Sequence, residues 1–279
     1  MVTPQALDQT IVMKRVFLTG ASSGIGRAVA HALLARGDEV WGTSRNPERI
    51  PKMPRLYPVH LNLSDPCSIE KAFNAALAEA GHFDVLINNA GSGHFGPTES
   101  LSANAIADQF QILVFGHAQL IRLALPAMYA RGSGLILNVT SLASRLPVPF
   151  MAAYNAAKAA MAAFTMSMQL ELTNSHVHMV DLQPGDICTA FNDAVNKKTP
   201  HDSRYEAKVA KSWKVIDHNM KVAPAPELVA RHVLKLIDRT DPPPRITVGD
   251  TFQTKIAPII FRFLPQRLRL WGLKKYYGI

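Results

Sequence analysis

The sequence predicts an α/β fold, a parallel sheet wound in two directions with helices on both faces, in a single domain. Three observations carry this. Short apolar runs alternate with helical patterns along most of the chain, which is how strands joined by crossover helices read. A glycine-rich turn, TGASSGIG (19–26), joins the first apolar run to the first helical pattern. No Gly/Ser linker, repeat or break in composition divides the 279 residues.

The elements follow in order. VFLTG (16–20) reads as a buried strand. Residues 25–36 place Ile25, Val29, Ala32, Leu33 and Arg36 at helical spacing, and Gly37 stops that helix. EVWGTS (39–44) and LYPVHL (56–61) are the second and third strands. SIEKAFNAALAEAG (68–81) is a helix ended by Gly81, and FDVLINNAG (83–91) is the fourth strand. Residues 103–131 read as one long helix with Pro126 near its end or at a kink. GLILNVTS (134–141) is the fifth strand, 151–173 an Ala/Met-rich helix, and HVHMVDLQPG (176–185) the sixth strand. PELVARHVLKLIDR (226–239) is a helix and RITVG (245–249) the last strand. Sheets of this kind bind ligands beyond the carboxyl ends of their strands. The residues after VFL, NVT and VDL are therefore the candidates for a site.

A hydrophobic content of 48% suffices for one large core. The opening MVTPQALDQTIVMKR lacks the basic-then-apolar build of a signal peptide. No apolar run reaches the ~18 residues of a membrane span. Cys67 and Cys188, the two cysteines, lie far apart. A disulfide framework or a cysteine metal site is not expected, and a reducing cytoplasm is. The net charge of +9 raises a nucleic-acid or membrane partner. Much of the excess sits at the end, where Lys255, Arg262, Arg267, Arg269, Lys274 and Lys275 face Asp250 alone. A nucleic-acid footprint is not expected from so local an excess.

In TGASSGIG, Gly20 permits a sharp turn, Gly24 a close backbone approach and Gly26 tight packing of helix on strand. The free N–H groups at the helix start then face an anion, helped by the helix dipole. A tight turn with no ligand is the plain alternative, and the position directly after the first strand weighs against it. The second strand ends in GTSRN, with Ser44 and Arg45 and no carboxylate. An acid there usually holds a ribose 2′-hydroxyl, whereas arginine pairs with a 2′-phosphate. That pattern favours NADP over NAD, against the usual solvated fate of a surface arginine.

Residues 154–158 read YNAAK. On a helix Tyr154 and Lys158 share a face. An ammonium near a phenol favours the phenolate and lowers its pKa, so a tuned Tyr154 can exchange a proton with a carbonyl oxygen or an alcohol. An isolated YxxxK is more often one buried tyrosine and one exposed lysine. Ser141 at the end of the fifth strand changes the balance, because it reaches the same crevice and can donate to a substrate oxygen. Beside it NNAG (88–91) ends the fourth strand. Asn88 and Asn89 can bond neighbouring backbone, and Ala90 and Gly91 leave room for a cofactor.

TGASSGIG, NNAG, Ser141 in NVTS, YNAAK and PGDICT (184–189) occur in order and at spacing. With these five motifs the chain resembles a short-chain dehydrogenase/reductase over roughly residues 13–249. The resemblance implies a Rossmann fold and hydride transfer with NADP(H), with Tyr154 the acid/base, Ser141 orienting the carbonyl, and Lys158 lowering the tyrosine pKa and holding the nicotinamide ribose. It places Gly20, Ser22, Ser23, Gly24 and Ile25 at the pyrophosphate, Ser44 and Arg45 at the 2′-phosphate, and Asn62 and Leu63 near the adenine. Asn89, Ala90 and Gly91 lie against the cofactor, with Pro184, Gly185, Ile187 and Thr189 near the nicotinamide. It also implies a homodimer or homotetramer built on the fourth and fifth long helices. Two positions depart from the pattern. Asn62 stands where an aspartate is usual, a swap that keeps a hydrogen-bonding contact. Leu113, in FQILVFG (110–116), stands where an asparagine is expected to hold a water linking the lysine to solvent, and leucine cannot hydrogen-bond water. His117, one turn on, is a candidate substitute, or else a packed or solvent-facing histidine.

Residues 186–225 are expected to form the substrate lid, with Phe191, Tyr205, Val209, Trp213, Val215, Ile216 and Met220 as apolar positions that wall a pocket or simply pack. The basic tail, 250–279, is broken by Pro258 and Pro265 into short helical pieces at most. It reads as a pocket cap or subunit contact first, and as an interfacial membrane contact second. The expected activity is NADP(H)-dependent hydride transfer on the carbonyl or secondary alcohol of an apolar substrate, with no metal. The alternative is a nucleotide-binding sensor or scaffold of low or no activity, which Leu113 favours.

Overall fold

The computed structural model describes residues 12–191, 195–197 and 203–279. Most of the opening segment read against a signal peptide, and positions 192–194 and 198–202 of the expected lid, lie outside the described residues.

The chain enters the core through β1 (Arg15–Leu18), whose Val16, Phe17 and Leu18 are wholly buried. Alternate side chains of a strand point to opposite faces. Val16 and Leu18 therefore join one apolar layer and Phe17 the other. After the glycine turn come α1 (Gly24–Arg36), β2 (Glu39–Ser44), β3 (Leu56–His60), α2 (Pro66–Ala80) and β4 (Val85–Asn88). The second half adds a short β5 (His94–Phe95), α3 (Ala103–Phe110), α4 (Gly116–Arg131), β6 (Gly134–Val139), α5 (Ala152–Glu171) and β7 (Val177–Pro184). It closes with β8 (Asn196–Lys197), α6 (Ser203–Val222), α7 (Glu227–Ile237), β9 (Arg245–Val248), α8 (Ala257–Phe263) and α9 (Gln266–Tyr277).

All seven strands expected from the sequence form one parallel sheet in the order β3-β2-β1-β4-β6-β7-β9. The chain winds outward from β1 to β3 and then returns to β4. The carboxyl ends of β1 and β4 thus flank the point where the winding reverses, which is where such sheets bind ligands. β5 pairs separately with β8. One sheet face is covered by α1 and α7, the other by α2, α4 and α5.

Local chemistry sets the helix ends. Gly37 closes α1 in the left-handed region (φ 104), its N–H bonding Leu33 and Leu34 oxygens. α2 starts ahead of the expected Ser68, because the Asp65 side chain accepts from Cys67 N at 2.9 Å and Pro66 takes the first turn. The long helix differs from expectation. Pro126 lies inside α4 without ending it, and the irregularity falls instead at Gln111–Phe115, a single π-helical turn between α3 and α4. Such turns widen a helix locally and concentrate at sites. The whole stretch Ala103–Arg131 is long and apolar enough by composition to cross a bilayer. Its Leu113, Leu120, Ile121, Ala124 and Met128 are nevertheless buried inside the protein.

Candidate active site

The glycine turn is held by its neighbour across the sheet. Thr19 Oγ1 accepts from Asn89 N (2.8 Å) and Ala90 N (2.9 Å), and Asn89 Nδ2 donates to Thr19 O at 2.9 Å. Gly20 and Gly24 take left-handed φ values of 74° and 52°, which glycine adopts without strain. A Cβ on Gly26 would stand 2.1 Å from Gly20 O, so only glycine fits there. Ser23 at the N-cap of α1 makes no side-chain capping bond. The first N–H groups of the helix are left for a ligand. Asn89 thus positions the turn as well as lining the cleft. Asn88 behaves differently from the expected backbone contact: its Nδ2 donates to Asn138 Oδ1 (2.9 Å), and Asn138 Nδ2 to Thr165 Oγ1 (2.9 Å), tying β4, β6 and α5 together.

The cleft above this turn holds about 1180 Å³. That exceeds the ~300–1,000 Å³ of an ordinary small-molecule site, so a dinucleotide and a second molecule both fit. Every cleft residue expected from the sequence lines it: Gly20, Ser22, Ser23, Gly24, Ile25, Ser44, Arg45, Asn62, Leu63, Asn89, Ala90, Gly91, Ser141, Tyr154, Lys158, Pro184, Gly185, Ile187 and Thr189. At the β2 end Ser44 Oγ donates to Ser22 Oγ (3.3 Å) and accepts from Asn46 N (3.1 Å). Arg45 is exposed and forms no ion pair among the described residues. Arg49 lines the same end, a second cation that the sequence reading missed. The turn donors and these two guanidiniums suit the phosphates of a dinucleotide.

At the centre Ser141 follows β6, Tyr154 and Lys158 sit on α5, and all three line the cleft. Ser141 Oγ also accepts from Ala143 N at 3.0 Å. Lys158 is buried, with Nζ 5.8 Å from the Tyr154 ring centroid. Its ammonium donates to Val139 O at 2.7 Å. Burial pushes the lysine down to about 8, with the buried Asp181 acting the other way. The expected lowering of Tyr154 is not what this geometry gives. Burial raises the phenol to about 12; the neighbouring Ser141 hydroxyl opposes this and the Asp186 charge adds to it. Lys158 directs its proton at a carbonyl instead, and desolvation outweighs attraction.

Leu113 occupies the π-helical turn, is wholly buried, and packs with Val114 and Ala157 against Tyr154. A Cβ on Gly91 would stand 2.9 Å from Leu113 Cδ2, so the leucine fills the space beside Gly91. His117 is a packed histidine, as the plainer reading had it. Only 2% of it is exposed and its Nε2 has no partner among the described residues. Burial first, and then the Lys158 charge, push its pKa down to about 3, while a bond with the Leu113 backbone resists.

The far end is closed by residues that the sequence reading did not single out. Asp186, in PGDICT, lines the cleft, and Gln253 Nε2 from the tail donates to its Oδ2 at 2.7 Å. Burial raises the Asp186 pKa, and hydrogen bonds from Gln253 and Asn219 hold it back. Asn219 on α6 also donates to Tyr276 OH on α9 (2.7 Å). Phe191, Ile216 and Met220 of the expected lid line the cleft, whereas Trp213 packs on Phe95 with centroids 4.8 Å apart. The two tail helices meet the cleft with Ile260, Phe261, Leu264, Leu268, Leu273 and Tyr276. Asp186 was legible as a polar residue after a strand end; Gln253 and Asn219 carry no sequence signal at all.

Sheet order, turn and cleft define a Rossmann-type nucleotide-binding fold. A model of the short chain dehydrogenase family matches residues 14–200. A 3-ketodihydrosphingosine reductase from Bacteroides thetaiotaomicron is 30% identical over 267 residues, covering 95% of this chain and 98% of that protein. A short-chain dehydrogenase structure from Streptomyces avermitilis shares 28% identity at a TM-score of 0.79, over 95% of both chains. A short chain dehydrogenase from Burkholderia cenocepacia, solved in complex with NADP, shares 25% identity at a TM-score of 0.71, over 93% of this chain and 96% of that one. The chain belongs to the short-chain dehydrogenase/reductase family and is an oxidoreductase.

Proposed function

We propose that this protein transfers a hydride between NADP(H) and the carbonyl or secondary alcohol of an apolar substrate. The observation that carries the reading is that Ser141, Tyr154 and the buried Lys158 line one cleft together with the glycine turn. A bound nicotinamide supplies the hydride to a carbonyl carbon, or takes it from an alcohol carbon. Ser141 and Tyr154 place two hydroxyls at one spot, where they hold the substrate oxygen. In reduction Tyr154 gives its proton to that oxygen, and in oxidation it takes the proton back. A phenol raised to about 12 keeps its proton at neutral pH, which suits the reductive direction. The Lys158 ammonium stabilises the phenolate left behind.

The preference for NADP is supported by Arg45 and Arg49, which line the β2 end of the cleft. Structures of similar fold are solved with NADP or with NAD, so the cations carry this part. An apolar substrate is supported by Val148, Met151, Phe191, Phe261 and Leu264 in the lining, and by the relative named a 3-ketodihydrosphingosine reductase. Exposed Phe115, Tyr129, Met166 and Leu170 on the long helices support a homodimer or homotetramer. Exposed, unpaired Cys67 and Cys188 suit a reducing cytoplasm.

The test is loss of NADPH absorbance with a panel of ketones and aldehydes that includes long-chain and steroid ones. Turnover that collapses in Tyr154→Phe, with NADPH binding intact, is the expected result. NADPH binding without turnover of any carbonyl favours instead a nucleotide-binding sensor or scaffold, the reading that Leu113 at the lysine supports.

A further inference from the structure

The two C-terminal helices carry two different faces. Inward, α8 and α9 line the cleft with Phe261, Leu264, Leu268 and Leu273. Outward, Ile256, Ile259 and Phe263 recur at helical spacing, and Ile259 and Phe263 are 60% and 77% exposed. On α9, Leu270 and Trp271 are likewise exposed and lie outside the cleft lining, Trp271 at 62%. Large apolar side chains gathered on one exposed face are unusual on a soluble surface and mark a contact. Lys255, Arg262, Arg267, Lys274 and Lys275 are exposed among them and form no ion pair among the described residues. The sixth cation, Arg269, is turned inward, donating to Leu264 O (2.6 Å) and Arg262 O (2.9 Å). Lys275 Nζ stands 5.3 Å from the Trp271 ring centroid.

We propose that this outer face docks on an anionic lipid bilayer. The charge pattern selects the occupant. Five unpaired cations around apolar anchors match a negative lipid surface. A second copy of this chain would set the same cations against themselves across a two-fold axis. The exposed apolar residues of the long helices form a separate face on α4 and α5, open to subunit contact. Docking holds the helices whose inner faces line the cleft at the bilayer surface, and so keeps the cleft close to the lipid. There an apolar or amphipathic carbonyl compound enters from the lipid without crossing water. This last step rests on the carbonyl-reductase reading; the docking itself does not.

The experiment is flotation with vesicles of phosphatidylcholine, with and without phosphatidylserine, run beside turnover of a small water-soluble ketone. The wild-type protein is expected to float with the anionic vesicles, to stay behind with neutral ones, and to be released in ~1 M salt, where charges are screened beyond about 3 Å. The triple variant I259E/F263E/W271E, whose side chains lie outside the cleft lining, is expected to lose at least about tenfold in vesicle affinity. Its turnover of the soluble ketone is expected to stay unchanged. Wild-type protein left behind by anionic vesicles, or a triple variant that floats as well as wild type, overturns the proposal. So does a triple variant of smaller mass by light scattering, which assigns the face to a second copy. Flotation without turnover of any ketone leaves the docking standing and removes the reductase reading.

Discussion

The Nζ of Lys158 donates to the main-chain oxygen of Val139 at 2.7 Å. This bond fixes the lysine at the end of β6, two residues before Ser141, and ties the helix that carries Tyr154 to the strand that carries its partner. Lys158 is thereby held by the backbone at a site where burial brings it to about 8.

The rate of reduction is expected to follow that titration. The charged lysine stabilises the phenolate formed as Tyr154 gives up its proton. Turnover is therefore full below about pH 8 and falls as the pH rises through the lysine pKa. A kcat/KM–pH profile reads this limb directly, and Lys158→Met should remove it while lowering kcat by about 100-fold or more. A profile flat to pH 10 in the wild type contradicts the assignment.

His117 predicts acid sensitivity. Its folded pKa of about 3 lies below the ordinary histidine value. Below pH ~6.5 the unfolded chain takes up a proton that the native imidazole refuses, so the stability contribution is full above that pH and lost as pH falls. Between about pH 6.5 and pH 5 the loss is about 2 kcal/mol. Thermal melting at both pH values measures it. His117→Gln should flatten the difference without changing the small-ketone rate by more than about twofold.

Leu113→Asn tests whether the lysine can be linked to solvent through the π-helical turn. The substitution places an amide among Val114, Ala157 and Tyr154, and should cost about 2–4 kcal/mol of stability unless water follows it in. If water enters, the alkaline limb of the pH–rate profile moves. An unmoved limb in a folded variant means that the lysine is resupplied by another route.

Arg45→Ala should weaken NADPH binding by about tenfold or more and leave NADH nearly unaffected, since a guanidinium–phosphate pair is a strong, charge-assisted contact. Titration of cofactor fluorescence separates the two. Equal effects on both cofactors remove Arg45 from the 2′-phosphate and leave Arg49 as the candidate.

Much of the site was legible in the sequence because its parts are local. Gly20, Gly24 and Gly26 are dictated by backbone geometry within one turn, and Tyr154 and Lys158 by one turn of helix. Asp186, Gln253 and Asn219 were missed because they meet from a strand end, the tail and the lid helix. No periodicity links such positions. The same limit hid the π-helical turn at Gln111–Phe115, where an apolar run reads like any helix.

The sequence by itself determined the seven strands and the glycine turn, since hydrophobic period and turn chemistry are properties of neighbouring residues; Ser141, Tyr154 and Lys158 stand out as a candidate group only through the resemblance that five motifs in order carry. Only the tertiary structure decided the electrostatics of that group. Tyr154 stands raised rather than lowered, Lys158 is drawn to Val139, and His117 is held neutral. For Lys158 and His117 the outcome is set by how completely packing removes water from the group, and for the half-buried Tyr154 by the walls of the cleft; desolvation is a property of the assembled fold rather than of any stretch of chain.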